Sequence, residues 1–145
     1  MATVRNMAEL EKVLMEQCRK LCEFASDEVY KAVDKYIKQY YSEWTPSVYE
    51  RTGAFLKSAF KTDVVKKGNG YEAVVYIDYE SLNKYKDTTG FQVVTWANEM
   101  KHGGLDVGTD TRVWDDAMDE TIHSGQLLND CVDFLRKEGF KVVVW

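Results

Sequence analysis

The sequence predicts an α+β fold: a long N-terminal amphipathic helix packed on a small antiparallel sheet, with a second helix before a C-terminal strand. Three observations carry that reading. Apolar residues recur at three- and four-residue steps from Leu10 to Tyr40, the spacing of one helical face. Alternation of period two flanks Gly68-Asn69-Gly70, a composition suited to a tight hairpin. The helical period returns from Gln126 to Glu138 and is followed by the β-prone run Phe140-Lys141-Val142-Val143-Val144-Trp145. A chain of 145 residues suits a single domain over 1–145, with enough surface buried for a true core.

Asn6 and Glu9 have capping-box spacing, so a helix should start there. Leu10, Leu14, Cys18, Leu21, Ala25, Val29, Ala32, Val33, Tyr36, Ile37 and Tyr40 then form its apolar stripe. Glu11, Lys12, Glu16, Lys20, Lys31 and Lys35 fall mainly elsewhere. Leu14 and Leu21 are expected to be buried against the sheet. Unbroken to Ser42, the helix would extend about 55 Å, more than one side of a domain this size covers, so part of it is expected to reach another subunit. The alternative is a break near Ala25-Ser26-Asp27, where Ser or Asp would cap a second helix.

Pro46, the only proline, stops the helix near Trp44. Arg51-Thr52-Gly53 then supplies a turn, and strands follow over Lys61 to Lys67 and Tyr71 to Asp78. In the second strand Tyr71, Ala73, Val75 and Ile77 share the face toward the long helix. Tyr79 to Gly90 reads as an irregular connector. Phe91 to Met100 fits neither period cleanly and is assigned as helix, and Asp106 to Arg112 is a loop. Asp115 and Asp116 suit a helix N-terminus, and Gly139 a left-handed cap ending the Gln126 helix.

The order Pro46 to Ser58 (PSVYERTGAFLKS), Thr89-Gly90-Phe91 through Trp96-Ala97-Asn98, His102-Gly103-Gly104 and Trp114-Asp115-Asp116-Ala117-Met118 resembles a family of tailed-bacteriophage neck and tail-completion proteins. That family is named after the tenth gene product of a lambdoid phage, and the resemblance spans roughly Asn6 to Trp145. It implies a noncatalytic head–tail joining component, a minor capsid or minor tail protein. It further implies a ring of copies in the virion neck or tail, made in the bacterial host cytoplasm, whose partners are its own copies and other neck or tail proteins. On that reading the turn and assembly interface comprise Pro46, Arg51, Thr52, Gly53, Trp96, His102, Gly103, Gly104, Asp106 and Trp114. The loop from Lys101 to Arg112, flanked by Trp96 and Trp114, is expected to contact a neighbouring subunit. The runner-up is a small intracellular domain that dimerises through the long helix; a hydrolase or toxin is a third class.

A net charge of -5 and a pI near 5.1 oppose strong nucleic-acid binding, which needs a concentrated basic surface. Lys66-Lys67 reads as a solvated sheet edge that discourages further pairing. The apolar runs are far shorter than the ~20 residues of a membrane helix. No apolar signal core follows Met1. Three cysteines, Cys18, Cys22 and Cys131, are an odd number on apolar patterns and read as reduced thiols. A zinc site written from Cys18, Cys22, His102 and His123 lacks a second cysteine pair. The carboxylates Asp106, Asp110, Asp115, Asp116 and Asp119 lack EF-hand spacing, and Cys131 with His123 lacks an orienting group. The sequence thus predicts no catalytic residue, metal or cofactor.

Overall fold

The structure is a computed structural model that describes residues 3–46, 53–82 and 88–145, and the fold is α+β. Helix α1 runs unbroken over Met7–Ser42, about 54 Å at ~1.5 Å per residue. Asn6 is its extended N-cap and accepts the Glu9 N–H at 2.9 Å. The Glu9 carboxylate takes the Arg5 N–H at 2.8 Å in place of that of Asn6, so the reciprocal half of the box is made one residue early. No break occurs at Ala25-Ser26-Asp27, because the Ser26 hydroxyl donates back to the Glu23 carbonyl at 3.0 Å and is used inside the helix. The helix ends before Pro46, as expected, with the Glu43 N–H bonded to the Tyr40 carbonyl.

After a short 3-10 turn at Phe55–Lys57, the chain forms one antiparallel ribbon in two blocks. Strand β1 (Ala59–Lys61) pairs with β4 (Val75–Ile77), and β2 (Val65–Lys67) with β3 (Gly70–Glu72). Lys61 faces Val75 and Val65 faces Glu72, so the three residues 62–64 oppose the two residues 73–74. One extra residue in one strand is a bulge. Thr62 carries the pairing through it: its N–H donates to the Val74 carbonyl and its hydroxyl oxygen accepts the Val74 N–H, both at 2.9 Å. Beyond the bulge, Ile77 is buried and Val75 half-buried, whereas Val74 and Tyr76 face outward, and Phe60 stacks on Tyr76 across the outer face.

Residues 91–98 are helical, within α2 (Gly90–Asn98), and a complete capping box between Thr89 and Gln92 decides what periodicity left open. Gly90 is required by close approach: a Cβ there would lie 1.8 Å from the Tyr79 carbonyl oxygen. The small hairpin of β5 (Lys101–His102) and β6 (Leu105–Asp106) follows. Helix α3 (Val113–Met118), with Asp115 and Asp116 in its first turn, continues through one π turn (Asp119–His123), and α4 (Gln126–Lys137) then returns antiparallel along α1. Phe134 stacks on Phe24 at 4.7 Å and Glu138 reaches Lys20 at 3.4 Å. Gly139, at φ +94, donates to the Arg136 carbonyl and Phe140 to that of Leu135, a Schellman cap.

Two expectations are corrected. The core gathers on the C-terminal half of α1, where Val33 and Ile37 are fully buried in one cluster with Phe55, Ala59, Ile77, Ala97, Val113 and Ala117. Leu14 is instead 45% exposed and Leu21 only half-buried, because α3, the 3-10 turn, β1 and β4 surround the other half of the helix. The second correction concerns the C-terminal strand, since residues 141–145 make no backbone hydrogen bond among the described residues and Trp145 is fully exposed. A strand is a pairing, and β propensity supplies no partner; the exposed edge strand β2 carries Lys66 and Lys67, which disfavour one. Among the described residues, no helix is long and apolar enough to cross a membrane.

Ile37→Ala should cost about 2–5 kcal/mol in chemical denaturation, with Leu14→Ala within about 0.5 kcal/mol of the parent when both are compared as single chains at high dilution. Gly90→Ala should lower the denaturation midpoint more than any other single Gly→Ala change at negative φ, because backbone must move to admit the methyl.

Candidate functional site

The C-terminal end of α1 is where most of the sequence-predicted site converges. Tyr40, buried on α1, lies flat against the His102 ring, with centroids 4.0 Å apart and planes 2° from parallel. Its hydroxyl donates to the Lys101 carbonyl at 2.5 Å, pinning strand β5 to the helix. Trp44 reaches the same imidazole at 5.2 Å, and Phe55 meets Tyr40 edge-on at 5.6 Å. Trp44, just past the end of α1, and Phe55, two residues after Gly53 at φ +75, thus flank Tyr40 and His102 from both sides of the Pro46 segment.

Gly103 and Gly104, at φ +58 and +80, make the two-residue turn of the β5–β6 hairpin, with both central residues left-handed. The turn lies over Trp96, since a Cβ on Gly104 would sit 3.2 Å from that indole. Asp106 accepts the Gly108 N–H at 3.1 Å, shaping the loop beyond. At the hairpin's base Met100 is also left-handed, at φ +61, an uncommon conformation for a side chain of that size. The Thr109 hydroxyl donates to the Met100 carbonyl at 2.7 Å and ties the two ends of the loop together.

Polar contacts tie this loop to two helices. Thr111 is fully buried, and its hydroxyl donates to the Glu43 carboxylate while accepting from the Gln39 amide at 3.0 Å. Its N–H also reaches Glu43 at 3.3 Å. The Asn98 side-chain carbonyl accepts the N–H groups of Trp114 and Asp115 at 3.0 and 2.9 Å, joining the end of α2 to the start of α3. Arg112 grips Asp116 and Asp119, and Lys35 pairs with Glu120. A hydrogen bond from His123 at 2.7 Å, with Arg112 adding to it, holds the Asp119 carboxyl below its ordinary value.

Of the ten residues predicted for the interface, Trp96, His102, Gly103, Gly104 and Asp106 form or line the hairpin. Trp114 is tied by its backbone to Asn98 at the end of α2, and Pro46 and Gly53 lie two residues from Trp44 and Phe55 of the aromatic cluster. Arg51 and Thr52 lie outside the described residues. His102 is buried, a core residue of the cluster more than an outward contact. Sequence reading missed Tyr40, Glu43 and Thr111 as organisers of this end; Glu43 and Thr111 are 68 residues apart, and no local pattern links them.

Among the described residues the four weighed for a zinc site do not come together. His102 stacks on Tyr40, about 27 Å along α1 from Cys22 at ~1.5 Å per residue. His123 is engaged with Asp119, and burial pushes the Cys131 thiol up, with Asp130 and Glu28 adding to it. The arrangement braces a short hairpin against α1 and α2.

Glu43→Ala leaves the buried Thr111 N–H and hydroxyl short of an acceptor and should cost about 1–3 kcal/mol by denaturation, with Glu43→Gln costing less.

No curated protein and no solved structure matches this chain. Residues 6–137 match the YomN family, a phage-gene-like family named from a Bacillus prophage. That span runs from the N-cap of α1 to the last residue of α4, and it carries the phage character without reaching head–tail joining. The chain therefore belongs to the YomN family, which points to a phage or prophage protein.

Proposed function

We propose that this chain is a noncatalytic structural component of a phage or prophage neck or tail, completing the head–tail interface as a ring of copies that contacts other neck or tail proteins. Family membership is the observation that carries the reading, and the order of motifs from Pro46 to Met118 adds to it. The braced β5–β6 hairpin supports it physically. Its turn is held on Trp96, its strand on Tyr40 and its following loop on Glu43, so a docking partner meets a surface that loses little conformational freedom on binding. Trp96 remains half-buried under the turn, in the manner of interface aromatics.

The test is to delete the gene from an inducible prophage and to raise antibody against the purified protein. Filled heads and tails that fail to join, with antibody labelling at the neck of parental particles, are the expected results. Normal infectious particles that lack the protein would overturn the reading.

A further inference from the structure

The N-terminal arm of α1 carries an apolar stripe that the described residues leave largely uncovered. Met7 is 77% and Leu14 45% exposed, Cys18 is exposed, and Leu10 and Leu21 are half-buried. On a helix of about 100° per residue these five side chains fall within about 80° of arc. Their spacing is also its own mirror image about Leu14: Leu10 and Cys18 lie four residues to either side, Met7 and Leu21 seven.

We infer that this stripe is a self-docking surface, on which a second copy of the chain lays the same arm antiparallel and centred on Leu14. In that register Leu14 meets Leu14 of the second copy across a two-fold axis, Leu10 lies beside Cys18, and Met7 beside Leu21. A one-turn slip loses the mirror relation and sets Leu14 opposite Cys18 and Leu10 opposite Cys22. The charged residues at these heights, Glu9, Lys12, Glu16 and Arg19, lie on the far side of the helix, more than about 130° from Leu14, so pairing desolvates none of them. Antiparallel packing also opposes the two helix dipoles. An isologous contact closes after two copies and cannot by itself build a ring, so this inference stands apart from the neck reading.

Analytical ultracentrifugation of the full chain should give twice the chain mass. Leu14→Asp should return it to one chain that keeps the parent's circular dichroism spectrum, because Leu14 contributes little to the monomer fold. In a Cys22→Ser background, Leu10→Cys should oxidise to a covalent dimer. Peptide mass spectrometry should find the new thiol joined to Cys18 of the other chain. A monomer at all concentrations overturns the inference, as does an oligomer indifferent to Leu14→Asp. A disulfide joining position 10 to position 10 overturns it in favour of parallel pairing. A ring that survives Leu14→Asp removes the self-docking surface and leaves the neck proposal standing, whereas a dimer absent from virions does the reverse.

Discussion

Val33 and Ile37, one turn apart on α1 and both fully buried, are where the two halves of the chain meet. Ala59 and Ile77 come to them from the ribbon, and Val113 and Ala117 from α3, within one continuous cluster. The sequence specifies α1 locally, through the Asn6 cap and a regular stripe. The ribbon and α3 specify themselves weakly: the strands are three residues long and α3 only six. Such short pieces do not persist alone in water, so their stability is borrowed from the buried face of α1. Loss of volume at Ile37 therefore loosens elements on both sides of the helix.

Much of this was legible because local chemistry and tertiary structure agree. Asn6, Pro46, the Gly68-Asn69-Gly70 turn and Gly139 each mark a boundary that the fold uses. The errors have a common cause. The apolar stripe says which face of α1 is sticky, but not how far along its length partners extend, so Leu14 and Leu21 looked equivalent to Val33 and Ile37. Phe140 to Trp145 has the composition of a strand, but pairing requires an available edge elsewhere in the chain. In both cases local pattern was read correctly and a long-range partner was assumed.

The candidate site was legible in part for the same reason. The His102-Gly103-Gly104 turn follows from composition, and both glycines adopt the left-handed backbone that such a turn uses. What holds the turn in place does not follow from composition. The stack of Tyr40 on His102 and the grip of Glu43 on Thr111 join residues far apart in sequence, and each is a side-chain choice made after the helix and loop are adjacent. Buried histidine here has a structural explanation in its ring contacts, which weakens any reading of it as a ligand or base.

The two ends of α1 differ in kind, and that difference constrains how the protein can assemble. Tyr40, at the hairpin end, lies about 39 Å along the helix from Leu14, at the middle of the arm, at ~1.5 Å per residue. The hairpin end is braced by hydrogen bonds and rings, and its two-glycine turn leads into exposed Leu105 and Asp106. The arm offers apolar side chains on a bare helix, which suits burial against another helix. A ring needs heterologous contacts, in which unlike surfaces meet around the circle, whereas the mirror symmetry about Leu14 suits only a two-fold contact. Surfaces this far apart can be occupied together, so a two-fold joint through the arms leaves the hairpin end free to meet different partners. Copies joined at both kinds of surface would form two rings facing each other across the arms, and copies joined at the arms alone would stop at two.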